Sequence, residues 1–220
     1  MKDKYQNVGF NKKINEERAA KVLAFSCGDN VLEVGCGEGQ LTKHLVEKHK
    51  KVVAIDIDSN GFKFIKNQHN LLKNQTSVYK MKFTNMFDTV ICTNVLEHLD
   101  NPKKALKNIL NAGKKDCVYI FTVPNAHSVN RLVGADIGII KHPTCLDIQD
   151  IELGHKKMYS PSSFRWLIDE YFKIFHFETY IYKPFPNNVM EKFSIDFQKY
   201  CLNHHIGMYG AEIFVGAMRK

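Results

Sequence analysis

The chain lacks any apolar run near the roughly 20 residues that a membrane-spanning helix needs. Its first residues, Met1-Lys2-Asp3-Lys4-Tyr5, lack the apolar core of a secretory signal. These two absences read as a cytoplasmic protein with no membrane partner. Six cysteines are present (Cys27, Cys36, Cys92, Cys117, Cys145 and Cys201), but no two form a C-x-x-C pair. A disulfide framework is therefore not expected, and buried cysteines act as small hydrophobes. No set of His, Cys, Asp and Glu has a recognised ligand spacing. His142, Asp147 and His155 come nearest and match no pattern, so no metal is expected.

What is there suits one globular domain of 220 residues, 44% hydrophobic and 25% charged. The net charge is +8, with lysines grouped at 48–51, 103–107, 114–115 and 156–157. They read as solvated surface, or as a field that draws an anionic substrate. A nucleic-acid partner would need a basic stripe on one face. The sequence does not fix an oligomeric state.

The most informative stretch is Val31-Leu32-Glu33-Val34-Gly35-Cys36-Gly37-Glu38-Gly39-Gln40. A short Val/Leu run ends in three alternating glycines, and a helical pattern follows from Leu41. That is strand, tight turn, helix, the place where a doubly wound sheet binds its ligand. Glycine lets the backbone turn with positive φ and lets a ligand approach closely. Ligand-free tight turns use glycine too. A second apolar run, Val52-Val53-Ala54-Ile55, ends in Asp56-Ile57-Asp58. In a right-handed βαβ unit its tip lies beside the glycine turn. A carboxylate there can accept from both hydroxyls of a ribose. Turn plus acid points to an adenosine-bearing ligand.

A dinucleotide fingerprint would place its third glycine where Gln40 stands. The motif Glu33-x-Gly35-x-Gly37-x-Gly39 instead resembles the first motif of class I S-adenosylmethionine-dependent methyltransferases. Phe87-Asp88-Thr89-Val90-Ile91-Cys92-Thr93-Asn94-Val95-Leu96-Glu97-His98-Leu99 resembles the fourth-strand motif of the same superfamily. The resemblance implies a Rossmann-like α/β fold with a seven-stranded, mostly parallel sheet, helices on both faces and an antiparallel last strand. It implies S-adenosylmethionine as cofactor and S-adenosylhomocysteine as product. Glu33 would lie near the cofactor's amino-acid end, within a turn of Gly35, Cys36, Gly37, Gly39 and Gln40. Asp56, with Ile57 beside it, would hold the ribose. Asn94 and Val95 would lie under the methionine part, and His98 at the pocket rim. One family feature is missing. Most members carry an acid after the third strand to hold adenine, and Lys80-Met81-Lys82-Phe83-Thr84-Asn85 has none.

Along the rest of the chain, residues 14–26 and about 39–49 read as helices. Tyr5 and Phe10 could fold over a cofactor if residues 1–13 are ordered. Ser59 opens a helix faced by Phe62, Ile65, His69 and Leu72, and residues 76–83 alternate as a third, edge-type strand. Asn101-Pro102 and Ser160-Pro161 each start a helix. Residues 116–123, 172–183 and 211–218 read as strands. Two insertions, about 125–160 and 186–206, would cover the acceptor pocket. Segments 123–128 and 154–161 resemble small-molecule O-methyltransferases, including the ubiquinone-biosynthesis type and those of sugar and natural-product pathways.

Methyl transfer to an alcohol or phenol needs a base, and histidine suits neutral pH. His155 is the first candidate, His127 the second and His98 the third. Asn125 and Arg131 could hold the acceptor, and Arg131 suits a phosphate or carboxylate. His204-His205 reads as surface. The expected activity is methylation of a small-molecule hydroxyl on a sugar, phosphorylated or phenolic metabolite. Two other classes stay open: a nucleic-acid methyltransferase, prompted by the charge, and a non-catalytic S-adenosylmethionine-binding protein. Against the former, the fourth strand ends Asn94-Val95-Leu96-Glu97, without an Asn/Asp-Pro-Pro-aromatic run.

Overall fold

The structure is a computed structural model that describes residues 8–204 and 206–220. Tyr5 and His205 lie outside the described residues. Seven strands form one sheet: β1 (Asn30–Val34), β2 (Lys51–Asp56), β3 (Leu71–Gln75), β4 (Phe87–Thr93), β5 (Gly113–Pro124), β6 (Phe172–Tyr180) and β7 (Glu212–Arg219), in the order β3-β2-β1-β4-β5-β7-β6. The first five are mutually parallel. β7 enters antiparallel between β5 and β6. The carboxyl ends of β1, β2, β4 and β5 therefore share one edge, and β1 and β4 meet there at the point where strand order reverses.

Central strands are covered on both faces, which explains their continuous apolar runs. Leu32, Val34, Val53, Val90 and Phe121 face α3 (Pro102–Ala112) and α6 (Pro161–Asp169). Val31, Val52, Ile91, Ile120 and Phe214 point the other way, towards α1 (Gly9–Phe25) and α2 (Thr42–Lys48). Both expected helix starts form. The Asn101 side chain accepts from Lys104 N–H at 3.0 Å ahead of Pro102. Ser160 and Ser163 make a reciprocal capping box around Pro161. Phe10 is a fully buried residue of α1, not part of a lid.

The region after β2 departs from the expected pattern. Ser59–Phe64 forms only a short 3₁₀ turn, capped by Asp58 accepting from Asn60 N–H at 2.9 Å. Leu72 belongs to β3, not to a helix, and it is 54% exposed on this edge strand. Residues 76–83 form a turn rather than a strand: Lys80 and Met81 N–H both donate to Ser77 O, and Val78 and Met81 enter the core near α3. Two contacts explain the short connection. Ile65, with Phe62 against it, packs on Cys36 and Ala54, and Gly61 lies directly on the backbone of Gly37. A longer helix would lift both away.

The first insertion carries α4 (Val129–Asp136) and α5 (Ile148–Leu153). The two segments 123–128 and 154–161 meet: Asn125 bridges Tyr159, and Ala126 N–H donates to Tyr159 O at 2.8 Å. The second insertion carries α7 (Asn187–Met190) and α8 (Ile195–Asn203), which pack on α1 through Met190 and Cys201. Among the described residues, no helix is long and apolar enough to cross a membrane.

A Cβ on Gly61 would sit 2.2 Å from the Gly37 carbonyl oxygen. Gly61→Ala should therefore cost about 1–3 kcal/mol, the usual range for overpacking. It should also shift the glycine turn. Chemical denaturation checks this; an unchanged midpoint would show that the two loops are not in contact.

Candidate functional site

The glycine turn is tied to the tip of β2. Gly35 and Cys36 N–H both donate to Ile55 O, at 2.8 and 3.1 Å. Gly37 N–H donates to Asp56 Oδ2 at 2.8 Å, and Asp58 N–H to Asp56 Oδ1 at 2.9 Å. Each carboxylate oxygen thus keeps a lone pair for a further donor. Gly35, Gly37 and Gly39 have φ of +78°, +50° and +82°. A Cβ on Gly35 would strike Val95, and one on Gly39 would strike Ile65, whereas nothing lies within 4 Å of the Cβ position of Gly37. Gly37 is therefore the open side of the cradle. Ile57, 73% exposed, follows Asp56.

Glu33 is buried beneath this turn, and Thr42 Oγ1 donates to its Oε2 at 2.6 Å. Burial outweighs that hydrogen bond and the Glu33 carboxyl is pushed up to about 8. Burial likewise raises the Cys36 thiol, so Cys36 is no nucleophile at neutral pH. Gln40 Nε2 leans on Glu38 at 3.3 Å. At the tip of β4, Asn94 takes φ of +51°, which a non-glycine residue adopts only when its surroundings hold it there. Thr122 Oγ1 donates to its Oδ1 at 3.2 Å.

Directly after Val95, a 3₁₀ turn (Leu96–His98) carries Glu97 and His98 to the rim. His155 comes to them from the first insertion, its ring edge-on to His98 with centroids 4.8 Å apart. Asp150 Oδ1 accepts from His155 Nδ1 at 2.9 Å. Burial alone would raise Asp150, but His155, the Asp147 amide and Arg131 together hold it below the usual carboxylate range. Burial, reinforced by His155, lowers His98 and keeps it neutral at pH 7. Glu97 is 1% exposed, and burial pushes its carboxyl up to about 8. The structure thus brings together the first and third histidine candidates. His127, half-buried just beyond β5, is not one of this group.

The expected acceptor contacts need correcting. Arg131 is 8% exposed, and its guanidinium is committed to Asp150 at 2.8 Å, Asp147 at 3.2 Å, and the carbonyls of Pro143 and Cys145. It braces the first insertion instead of meeting a phosphate. Asn125 is 1% exposed, with its amide on Met208 O and Gly210 O and its carbonyl on His127 N–H. It closes the end of β5. The sequence gives no role to Asp150 and places Glu97 only at the pocket rim. Asp150 sits in a capping box with Asp147, and an acid five residues before His155 was a usable signal. Glu97 was visible in the motif, but its burial was not.

A family model described as "Methyltransferase domain" matches residues 10–171. The chain belongs to the methyltransferase domain family. The ubiquinone biosynthesis O-methyltransferase of Rickettsia typhi is 28% identical over 100 residues, covering 43% of this chain and 41% of that protein. The chain spans about half the length of the curated relatives it matches. An S-adenosylmethionine-dependent methyltransferase from Mesorhizobium loti superposes with a TM-score of 0.67 at 12% identity, covering 96% of this chain and 100% of that one. The N-methyltransferase NodS from Bradyrhizobium japonicum, in complex with S-adenosyl-L-homocysteine, gives 0.62 at 12% identity, covering 97% and 89%. These last two likenesses establish the fold.

The cofactor of the family is S-adenosylmethionine, and the residues of this methyltransferase domain fit it. Gly37 leaves a cradle open where a side chain would intrude, and Asp56 has lone pairs to spare beside it. The third-strand tip reads Gln75-Thr76-Ser77, without an acid, while Ile57, next to Asp56, exposes an apolar side chain.

Asp56→Ala should weaken S-adenosylhomocysteine binding at least about tenfold, since charged hydrogen bonds contribute about 1.5–3 kcal/mol. Calorimetry checks this, and unchanged affinity would remove Asp56 from the ribose. A pH dependence follows from Glu33. Between its ordinary 4.5 and about 8 the folded protein keeps the proton and the unfolded chain has lost it. The folded state binds more protons there, so stability falls as pH rises through that window. Glu33→Gln should flatten the fall in denaturation midpoint between pH 5 and 8; parallel curves would contradict it.

Proposed function

We propose that this domain transfers the methyl group of S-adenosylmethionine to a hydroxyl oxygen of a small molecule, with a phenolic acceptor favoured over an anionic one. The observation that carries the reading is the group Glu97, His98 and His155 at the rim, directly after the β4 tip and backed by Asp150. A hydroxyl must lose its proton to become a good nucleophile, and this is where the site has basic groups.

When bound, S-adenosylmethionine supplies an electrophilic methyl group on a sulfonium. Asp56 and the glycine turn hold the nucleoside, and Asn94 and Val95 support the methionine part. Transfer forms an O–CH₃ bond and breaks the S–CH₃ bond, leaving the neutral thioether. The acceptor's proton passes to the rim group. There the Nδ1–H of His155 is fixed on Asp150, so its Nε2 faces the chemistry as an acceptor. Alignment by the protein can supply about 7–11 kcal/mol of the barrier.

The acceptor's character is supported by what the first insertion displays. Ile137, Ile139, Ile148 and Ile151 are each more than 60% exposed, while Arg131 is withdrawn into the protein. An apolar body with one hydroxyl suits this surface better than a phosphate. Relatives named for ubiquinone biosynthesis agree with a phenolic acceptor. The absence of an Asn/Asp-Pro-Pro-aromatic run makes a nucleic-acid base the weaker reading.

His155→Ala should lower kcat by about 10²–10⁴ while leaving S-adenosylhomocysteine affinity within twofold or so. The assay is mass-detected methyl gain on a panel of phenols, sugars and sugar phosphates. Turnover of phosphorylated sugars in preference to phenols would overturn the acceptor class, and a loss under tenfold would remove His155 from proton handling.

A further inference from the structure

The rim group has the makings of a metal site. One donor atom each from Glu97, His98 and His155 lies within 4.8 Å of the others. Both imidazoles already have one nitrogen engaged. His98 Nδ1 lies 3.2 Å from Gly154 O, and His155 Nδ1 lies 2.9 Å from Asp150 Oδ1. A carbonyl and an ionised carboxylate can only accept, so each Nδ1 carries a proton, and in the neutral imidazole the lone pair is then on Nε2. Carbonyl or carboxylate behind Nδ1, lone pair in front, is how proteins orient histidines that bind metal through Nε2.

An independent observation points the same way. Glu97 is 1% exposed, and among the described residues neither of its carboxyl oxygens has a hydrogen-bond partner. Buried polar side chains nearly always find one. A buried carboxyl group without a hydrogen-bond partner, beside two imidazoles whose outer nitrogens offer lone pairs, is a donor set that a cation would complete.

We propose that Glu97, His98 and His155 bind a divalent transition-metal ion of the zinc or cobalt kind. Two imidazoles with one carboxylate favour such ions over magnesium or calcium, which prefer all-oxygen shells. Ligand bonds of about 2.0–2.2 Å set tetrahedral donors about 3.4 Å apart, so donors up to 4.8 Å apart must close by about 1.4 Å, a distance within reach of side-chain rotation. Three protein ligands leave an open position. The inference rests on the methyl-transfer reading only for what occupies that position: the acceptor oxygen, whose proton a bound cation makes easier to remove. His155 then acts on the acceptor through the cation, which takes up the Nε2 lone pair, and the acceptor's proton leaves to solvent. Sequence spacing did not show the site, because Glu97 and His98 are adjacent and His155 arrives from a different insertion.

The test is a cobalt(II) titration of the full chain, followed by visible absorption and calorimetry. The expected result is one cobalt per chain with the d–d bands of a nitrogen- and oxygen-ligated site of low coordination number. Glu97→Gln and His155→Ala should weaken binding more than about tenfold, and Asp150→Asn by about 10–100-fold as an orienting partner, with far-UV circular dichroism unchanged. Should a variant fail to fold, proton NMR of the wild-type cobalt complex decides, with two shifted imidazole N–H signals expected. No saturable binding, wild-type affinity in the variants, a thiolate-to-cobalt charge-transfer band, or the absence of shifted imidazole signals would overturn the proposal. S-adenosylhomocysteine titrated into the same samples separates the two readings. If it binds and cobalt does not, only the cation site falls. If cobalt binds and it does not, only the methyl-transfer reading falls.

Discussion

One carboxylate holds two loops in register. Asp56 accepts the Gly37 amide on one oxygen and the Asp58 amide on the other, so the turn after β1 and the tip of β2 move as a unit. The rest of the site is referenced to that unit. Gly35 must remain glycine because Val95 of the β4 tip lies where its Cβ would be, and Gly61 because the 3₁₀ turn rests on Gly37. Three strand tips and one connection are thereby locked around a single open position. Parallel pairing of β1 with both β2 and β4 makes this possible, because it brings their carboxyl ends to the same edge.

The second constraint is burial of acids. Glu33 lies under the turn with one hydroxyl donor, and Glu97 lies under the rim with no partner among the described residues. Both are pushed towards the neutral form by burial. A domain whose stability alone mattered would have apolar side chains at both positions. The proposed readings bring a positively charged group to each: the ammonium end of the cofactor to Glu33, and a cation to Glu97.

Much of this was legible in the sequence because it depends on short-range rules. The alternating glycines and the acid at Asp56 announce the cradle, since glycine takes the required positive φ without a steric cost. Asn101-Pro102 and Ser160-Pro161 announce helix starts, since capping uses neighbouring residues. The antiparallel end of the sheet follows from the family likeness. What failed depends on tertiary contacts. Phe62 and Ile65 have helical spacing, yet they serve a 3₁₀ turn pinned to Gly37. Val78 and Met81 alternate like a strand, yet they plug the core from a turn. Arg131 has the chemistry of an anion binder, but the fold wraps Asp147, Asp150 and two carbonyls around it. His155 was singled out, and its partner Asp150 was missed. Nothing local shows that a capping acid also faces a histidine.

The central claim is that the β1, β2 and β4 tips form one nucleoside-binding edge. Hydrogen exchange of the full chain with and without S-adenosylhomocysteine tests it most directly. The account predicts that added protection concentrates in residues 35–40, 56–58 and 94–98. Protection confined to other segments, or none at saturating ligand with the protein folded, would contradict it.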